Sequence, residues 1–123
     1  MKPPIFVWEP NDMMAFESVR AVEGWVEWQD VDEGTVFDSE GRLLELYLVQ
    51  DPRNEANENR RFAWFRIKHP PAVRVRSLED EPGHKEELRS ALLEAFSATG
   101  DAKAADARLE ELSSAAAEKF LVR

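Results

Sequence analysis

Apolar and polar residues alternate with a period of two along most of the first two-thirds of the chain, and then change to a helical period. Ile5 to Trp8 is a short β-branched and aromatic run between Pro3-Pro4 and Pro10-Asn11-Asp12, which predicts a strand ending in a turn. Met13 to Phe16 reads as the return strand of a hairpin or as the first turn of a helix capped by Asn11 or Asp12. Turn residues between two apolar runs favour the hairpin, and Ser18 is the better-placed helix N-cap. A helix is then expected from Val19 to about Trp28. At about 100° per residue, Val19, Val22 and Val26 form its buried stripe. Glu23 and Glu27 lie off one flank, Trp25 borders the other, and Trp28 falls outside the stripe. Gly24 weakens this helix by roughly 1 kcal/mol relative to alanine, which suggests a close packing partner or a weak end.

Asp30 to Gly34 reads as a loop and Thr35 to Phe37 as a short strand. Asp38-Ser39-Glu40-Gly41 is a hairpin turn with glycine at the left-handed position. Arg42 to Val49 is its return strand, with Leu44, Leu46 and Leu48 on one face and Glu45 and Tyr47 on the other. The polar stretch from Asp51 to Asn59 is expected to be an exposed connection. Phe62 to Lys68 follows as a strand with bulky residues on both faces, hence a central one, and His69-Pro70-Pro71 stops it. Val73 and Val75 alternate with Arg74 and Arg76 in a half-exposed strand.

From there the period is 3.6. Asp80, Glu81 and Pro82 suit the start of a helix whose stripe is Leu88, Leu92, Ala95 and Phe96. Gly100 reads as its C-cap and Asp101 as the N-cap of a last helix carrying Ala105, Leu109, Leu112, Ala116 and Phe120. So short a connection implies an antiparallel pair. The expected fold is α+β in one domain. An antiparallel sheet of five to six strands and one helix occupy 1–77, and a helical hairpin occupies 78–123 on one face or end of the sheet.

Composition narrows the chemistry. A chain of 123 residues buries roughly two-thirds of its unfolded surface, so it needs no metal or disulfide to fold. Without cysteine there are no disulfides, thiolate metal sites or cysteine nucleophiles. The N-terminal apolar run is too short for a secretory signal, and no window is apolar enough for a membrane span. The expectation is therefore a soluble cytoplasmic protein.

The net charge of −9 is unevenly placed. Residues 1–40 carry −8, residues 41–77 carry +4 and residues 78–123 carry −5. One reading is a solvated surface whose basic middle pairs with acidic neighbours. The other is an acidic face that repels nucleic acid and membranes and attracts a basic protein.

No catalytic constellation emerges. Asp30-Val31-Asp32-Glu33 resembles the opening of a calcium loop, but Thr35 and Gly41 occupy the places that need glycine and glutamate. His69 and His84 lie apart from any carboxylate at metal-ligand spacing and read as surface residues. There is no glycine-rich phosphate loop and no nucleophile elbow. Neither a metal nor a cofactor is expected.

The tryptophans say more. Trp64 reads as core, and Trp8 and Trp25 fit either role. Trp28, beside Asp30, Asp32 and Glu33, has an interface composition, an aromatic anchor with steering charges. Tucking against the sheet edge or the helical pair weighs equally for it. The candidate partner-binding set is Glu23, Trp25, Glu27, Trp28, Asp30, Asp32 and Glu33.

Phe16-Glu17-Ser18-Val19, Glu23, Trp25-Val26-Glu27, Asp30-Val31, Gly34 and Val36 through Leu44 resemble a group of small acidic bacterial immunity-type proteins. The resemblance covers about residues 16–46 and implies neutralisation of a secreted toxin by direct binding, with no catalytic residues to transfer. The leading expectation is a non-enzymatic inhibitor of a basic toxin. The alternative is a small-ligand-binding or regulatory domain in which Trp8, Phe62 and Trp64 line a cavity. An enzyme built from Asp, Glu, Tyr47 and His without a recognisable motif is the third possibility.

Overall fold

Two proline-bounded apolar runs open the structure. In the computed structural model, which describes residues 1–10, 12–50 and 69–123, they form strands β1 (Ile5–Glu9) and β2 (Asp12–Phe16). These pair antiparallel, from Ile5 opposite Phe16 to Glu9 opposite Asp12, so the hairpin reading of Met13–Phe16 holds. Next come helix α1 (Val19–Trp25) and a single 3-10 turn at Trp28–Asp30. Strands β3 (Thr35–Phe37), β4 (Leu43–Val49) and β5 (Ala72–Ser77) complete an antiparallel sheet ordered β2-β1-β3-β4-β5. Helices α2 (Lys85–Ala98) and α3 (Leu109–Lys119) form a C-terminal pair. The fold is α+β. The expected strand at 62–68, the expected loop at 51–59, and Phe62 and Trp64 lie outside the described residues.

Strand alternation sends successive side chains to opposite faces of the sheet, and each face has its own core. Phe6, Met13, Ala15 and Phe37 pack with Leu88, Leu92 and Phe96 of α2 and Leu112 and Ala116 of α3. Ile5, Val7, Phe16, Val36, Leu44, Leu46, Val73 and Val75 pack with Val22 of α1. Phe6, Phe16 and Phe96 are fully buried, and each contributes roughly 1.5–3 kcal/mol by leaving water. At the sheet's β2 side, Ala15 N–H donates to Phe120 O and Val122 N–H to Ala15 O, both at 2.9 Å. The C-terminal residues thus occupy the backbone groups that Ala15 would otherwise present on an open edge.

The β3–β4 turn is the polar counterpart of these cores. Asp38 is fully buried and its carboxylate accepts from the backbone N–H of Lys2, Glu40 and Arg42 and from the Arg42 guanidinium. That hydrogen bond, helped by the charges of Asp38, Glu40 and Glu81 and opposed by burial, raises the Arg42 pKa. Gly41 turns with φ +88° and its carbonyl accepts from His84 N–H at 2.9 Å, tying the turn to the start of α2.

Three helix ends depart from expectation. Helix α1 stops at Trp25 rather than near Trp28, because Val26 adopts an extended conformation two residues after Gly24. Helix α2 begins at Lys85, with His84 at the N-cap position and Asp80, Glu81 and Pro82 lying before it. Helix α3 begins at Leu109 rather than after Asp101. Lys103 and Lys119 hold the Asp101 carboxylate at 3.4 and 3.5 Å, and the Arg89 guanidinium donates to the carbonyls of Ala105 and Ala107. Those bonds fix 101–107 outside the helix, so the connection between the helices is longer than the sequence suggested. The two lysines also lower the Asp101 pKa, the hydrogen bond to Lys103 most of all.

His84, which the sequence placed apart from any carboxylate at metal-ligand spacing, has Nδ1 2.8 Å from Glu79 Oε1. The same Glu79 oxygen accepts from Leu43 N–H at 2.9 Å and Gly83 N–H at 3.0 Å. The hydrogen bond to Glu79 raises the His84 pKa above its ordinary 6.5, burial opposing and the charges of Glu79 and Glu87 adding. The Leu43 N–H first, then His84, lower the Glu79 pKa below its ordinary 4.5. The histidine's contribution is complete below 6.5 and is lost as pH rises through its elevated folded value. The glutamate's is complete above 4.5 and is lost as pH falls through its depressed folded value. Between about pH 6 and about pH 8.5 the urea midpoint of the native chain should therefore fall, and His84→Asn should remove that component. Parallel declines in both proteins would contradict this account.

Candidate functional site

The site grows from the place where α1 gives out. Val26 leaves the helix with φ −75° and ψ 127°, and Glu27 continues extended into the 3-10 turn. Asp30 N–H donates to Glu27 O at 2.9 Å and Glu33 N–H to Asp30 O at 3.1 Å, winding the acidic loop tightly. Gly34, at φ +81°, then passes so close to β1 that a Cβ there would lie 2.9 Å from the Trp8 carbonyl oxygen. The acidic loop is thereby anchored beside the end of β1.

Beneath it opens a cleft of about 540 Å³. Val7, Met14 and Leu46 from the sheet, with Val26 beside them, give it an apolar floor. Glu9 and Asp12 from the β1–β2 hairpin, and Glu27, Asp30 and Glu33 from the loop, line its polar part. Trp25 forms a wall, 51% exposed, with its indole tilted against Phe16 at 5.6 Å between ring centres. Among the described residues, no ion pair neutralises any of these five carboxylates. Nor does any group of three or more His, Asp or Glu among them converge as a metal site. Five like charges around an apolar floor create a negative potential that a dry occupant would strengthen.

Of the expected set, Trp25, Glu27, Asp30 and Glu33 come together at this cleft. Glu23 turns away, and its Oε2 accepts from Val75 N–H at 2.8 Å, bracing α1 against β5. Trp28 is half-buried and packs against the core between α1 and the sheet. It borders a shallower groove with Glu23, Glu27 and Arg74. The exposed aromatic is therefore Trp25 rather than Trp28, because the helix that set their wheel positions ends between them. Asp32 is exposed on the loop and lines neither groove. Glu9 and Asp12 were absent from the expected set. The hairpin register, which places them opposite each other at its tip, was the available signal.

Trp8 packs against the core shared with α2 and α3. A second groove, of about 650 Å³, lies between the N-terminal residues, the β3–β4 turn and α3. It mixes Lys2 and Lys85 with Glu40, Glu110 and Glu118, so it offers no uniform charge. No helix among the described residues is long and apolar enough to cross a membrane. Compared with known proteins, the chain matches no family model, no curated protein and no solved structure.

Proposed function

We propose that this chain is a non-enzymatic protein-binding domain of the immunity type, which neutralises a basic toxin by direct binding through the acid-lined cleft. The observation that carries this reading is the combination, in one cleft, of five carboxylates with no ion-pair partner among the described residues, an apolar floor and the half-exposed Trp25. Long-range charge speeds encounter with a basic partner, and an aromatic anchor buried at an interface contributes about 2 kcal/mol or more. The sequence resemblance over about residues 16–46 supports the same reading, since that stretch contains α1, the acidic loop and the β3–β4 turn. The C-terminal pair, taken as an antiparallel hairpin, would buttress the opposite face of the sheet and leave the cleft open.

Capture from a native bacterial lysate at low salt tests the proposal. The expected result is one basic protein, retained stoichiometrically and released as salt rises through the range that screens exposed charges. Retention of no protein, or of one whose binding ignores salt, would count against it.

A further inference from the structure

We infer that the acid-lined cleft between α1 and the sheet receives an arginine side chain of its partner, stacked on Trp25 with its guanidinium among the surrounding carboxylates. This inference rests on the proposed function above and specifies what its cleft recognises.

Three features of the cleft select the occupant. The floor of Val7, Met14 and Leu46 is apolar, so an entering cation must shed water there. A guanidinium is more weakly hydrated than an ammonium and suffers less from that loss. The Trp25 indole is half-exposed at the cleft wall and is held by a tilted contact with Phe16. Planar guanidinium groups stack on such a face, and tryptophan is the strongest aromatic partner for a cation. Finally, the carboxylates come from the hairpin tip on one side and the acidic loop on the other. A fork of five N–H donors can reach several acceptors at once, which a single ammonium cannot do as well. Charge complementarity alone would admit any basic side chain; the aromatic wall and the apolar floor favour arginine.

The chain should be titrated by NMR with three blocked hexapeptides, in which glycine alternates with arginine, lysine or citrulline. The arginine peptide should bind about fivefold more tightly than the lysine peptide, the gain expected for an exposed cation–aromatic contact. Its shifts should centre on the Trp25 indole N–H and the amides of Glu27, Asp30 and Glu33. The citrulline peptide, planar but uncharged, should not bind measurably. Trp25→Leu keeps an apolar contact for Phe16 but removes the ring, and should clearly reduce the preference for arginine over lysine. The same spectra report whether that variant is folded, and Trp25→Phe, with a weaker aromatic face, should give an intermediate preference.

Equal affinity for arginine and lysine peptides would overturn the inference. So would shifts spread over the whole surface, a preference undiminished by Trp25→Leu, or no binding of the arginine peptide. The broader reading would survive these outcomes if lysate capture still returned a salt-sensitive basic partner. It would fail separately if capture returned none.

Discussion

Asp38→Ala is expected to lower the stability of the fold by about 3 kcal/mol, because it takes a fully buried acceptor away from four donors. The native carboxylate accepts from Lys2 N–H at 3.1 Å, Glu40 N–H at 3.0 Å and Arg42 N–H at 2.9 Å. It also meets the Arg42 guanidinium at 2.5 Å. Alanine removes every one of these acceptor sites at once. Asp38→Asn keeps one carbonyl oxygen and should fall between alanine and the native chain. Urea unfolding measures the differences directly. A loss below about 1 kcal/mol for alanine would mean that water replaces the carboxylate at little cost.

The second large effect is expected at Gly41, three residues on. Its φ of +88° is costly for any residue with a Cβ, and an added Cβ would lie 2.6 Å from Lys85 Cα. Gly100 has a similar φ of +79° but open space around the same position. Gly100→Ala should therefore show the conformational cost alone, about 1–2 kcal/mol. Gly41→Ala should add the displacement of α2 from the turn, for a total of about 3–4 kcal/mol. Equal losses at the two glycines would mean that α2 yields freely and that the contact between turn and helix is unimportant.

The contrast between these glycines also shows how far sequence reasoning reached. The turn chemistry of Asp38 to Gly41 is local, and it was legible because four adjacent residues carry the whole signal. The β1–β2 hairpin and the Ser18 cap, whose hydroxyl oxygen accepts from Ala21 N–H at 3.0 Å, were legible for the same reason. That Gly41 also meets Lys85 depends on a contact between segments far apart in the chain. The helix ends failed similarly. Asp101 is an able N-cap by type, but Lys103 and Lys119 claim its carboxylate. At the candidate site, the acidic loop was legible as a cluster of adjacent charges. The contribution of Glu9 and Asp12 required the sheet to bring the hairpin tip beside that loop. That Trp25 rather than Trp28 is the exposed ring follows from α1 ending at Trp25, three residues before the expected end.

On the reading proposed above, it is the cleft, rather than the net charge of −9, that binds a basic protein. Its most direct test is the affinity of the captured partner for two variants of equal charge. One is Glu27→Gln/Asp30→Asn/Glu33→Gln in the cleft. The other is Glu94→Gln/Glu111→Gln/Glu118→Gln on the exposed surfaces of α2 and α3. The account predicts that the cleft variant binds about a hundredfold more weakly, while the helical variant changes affinity by about threefold or less, as rim charges do. Equal losses in the two variants would contradict it.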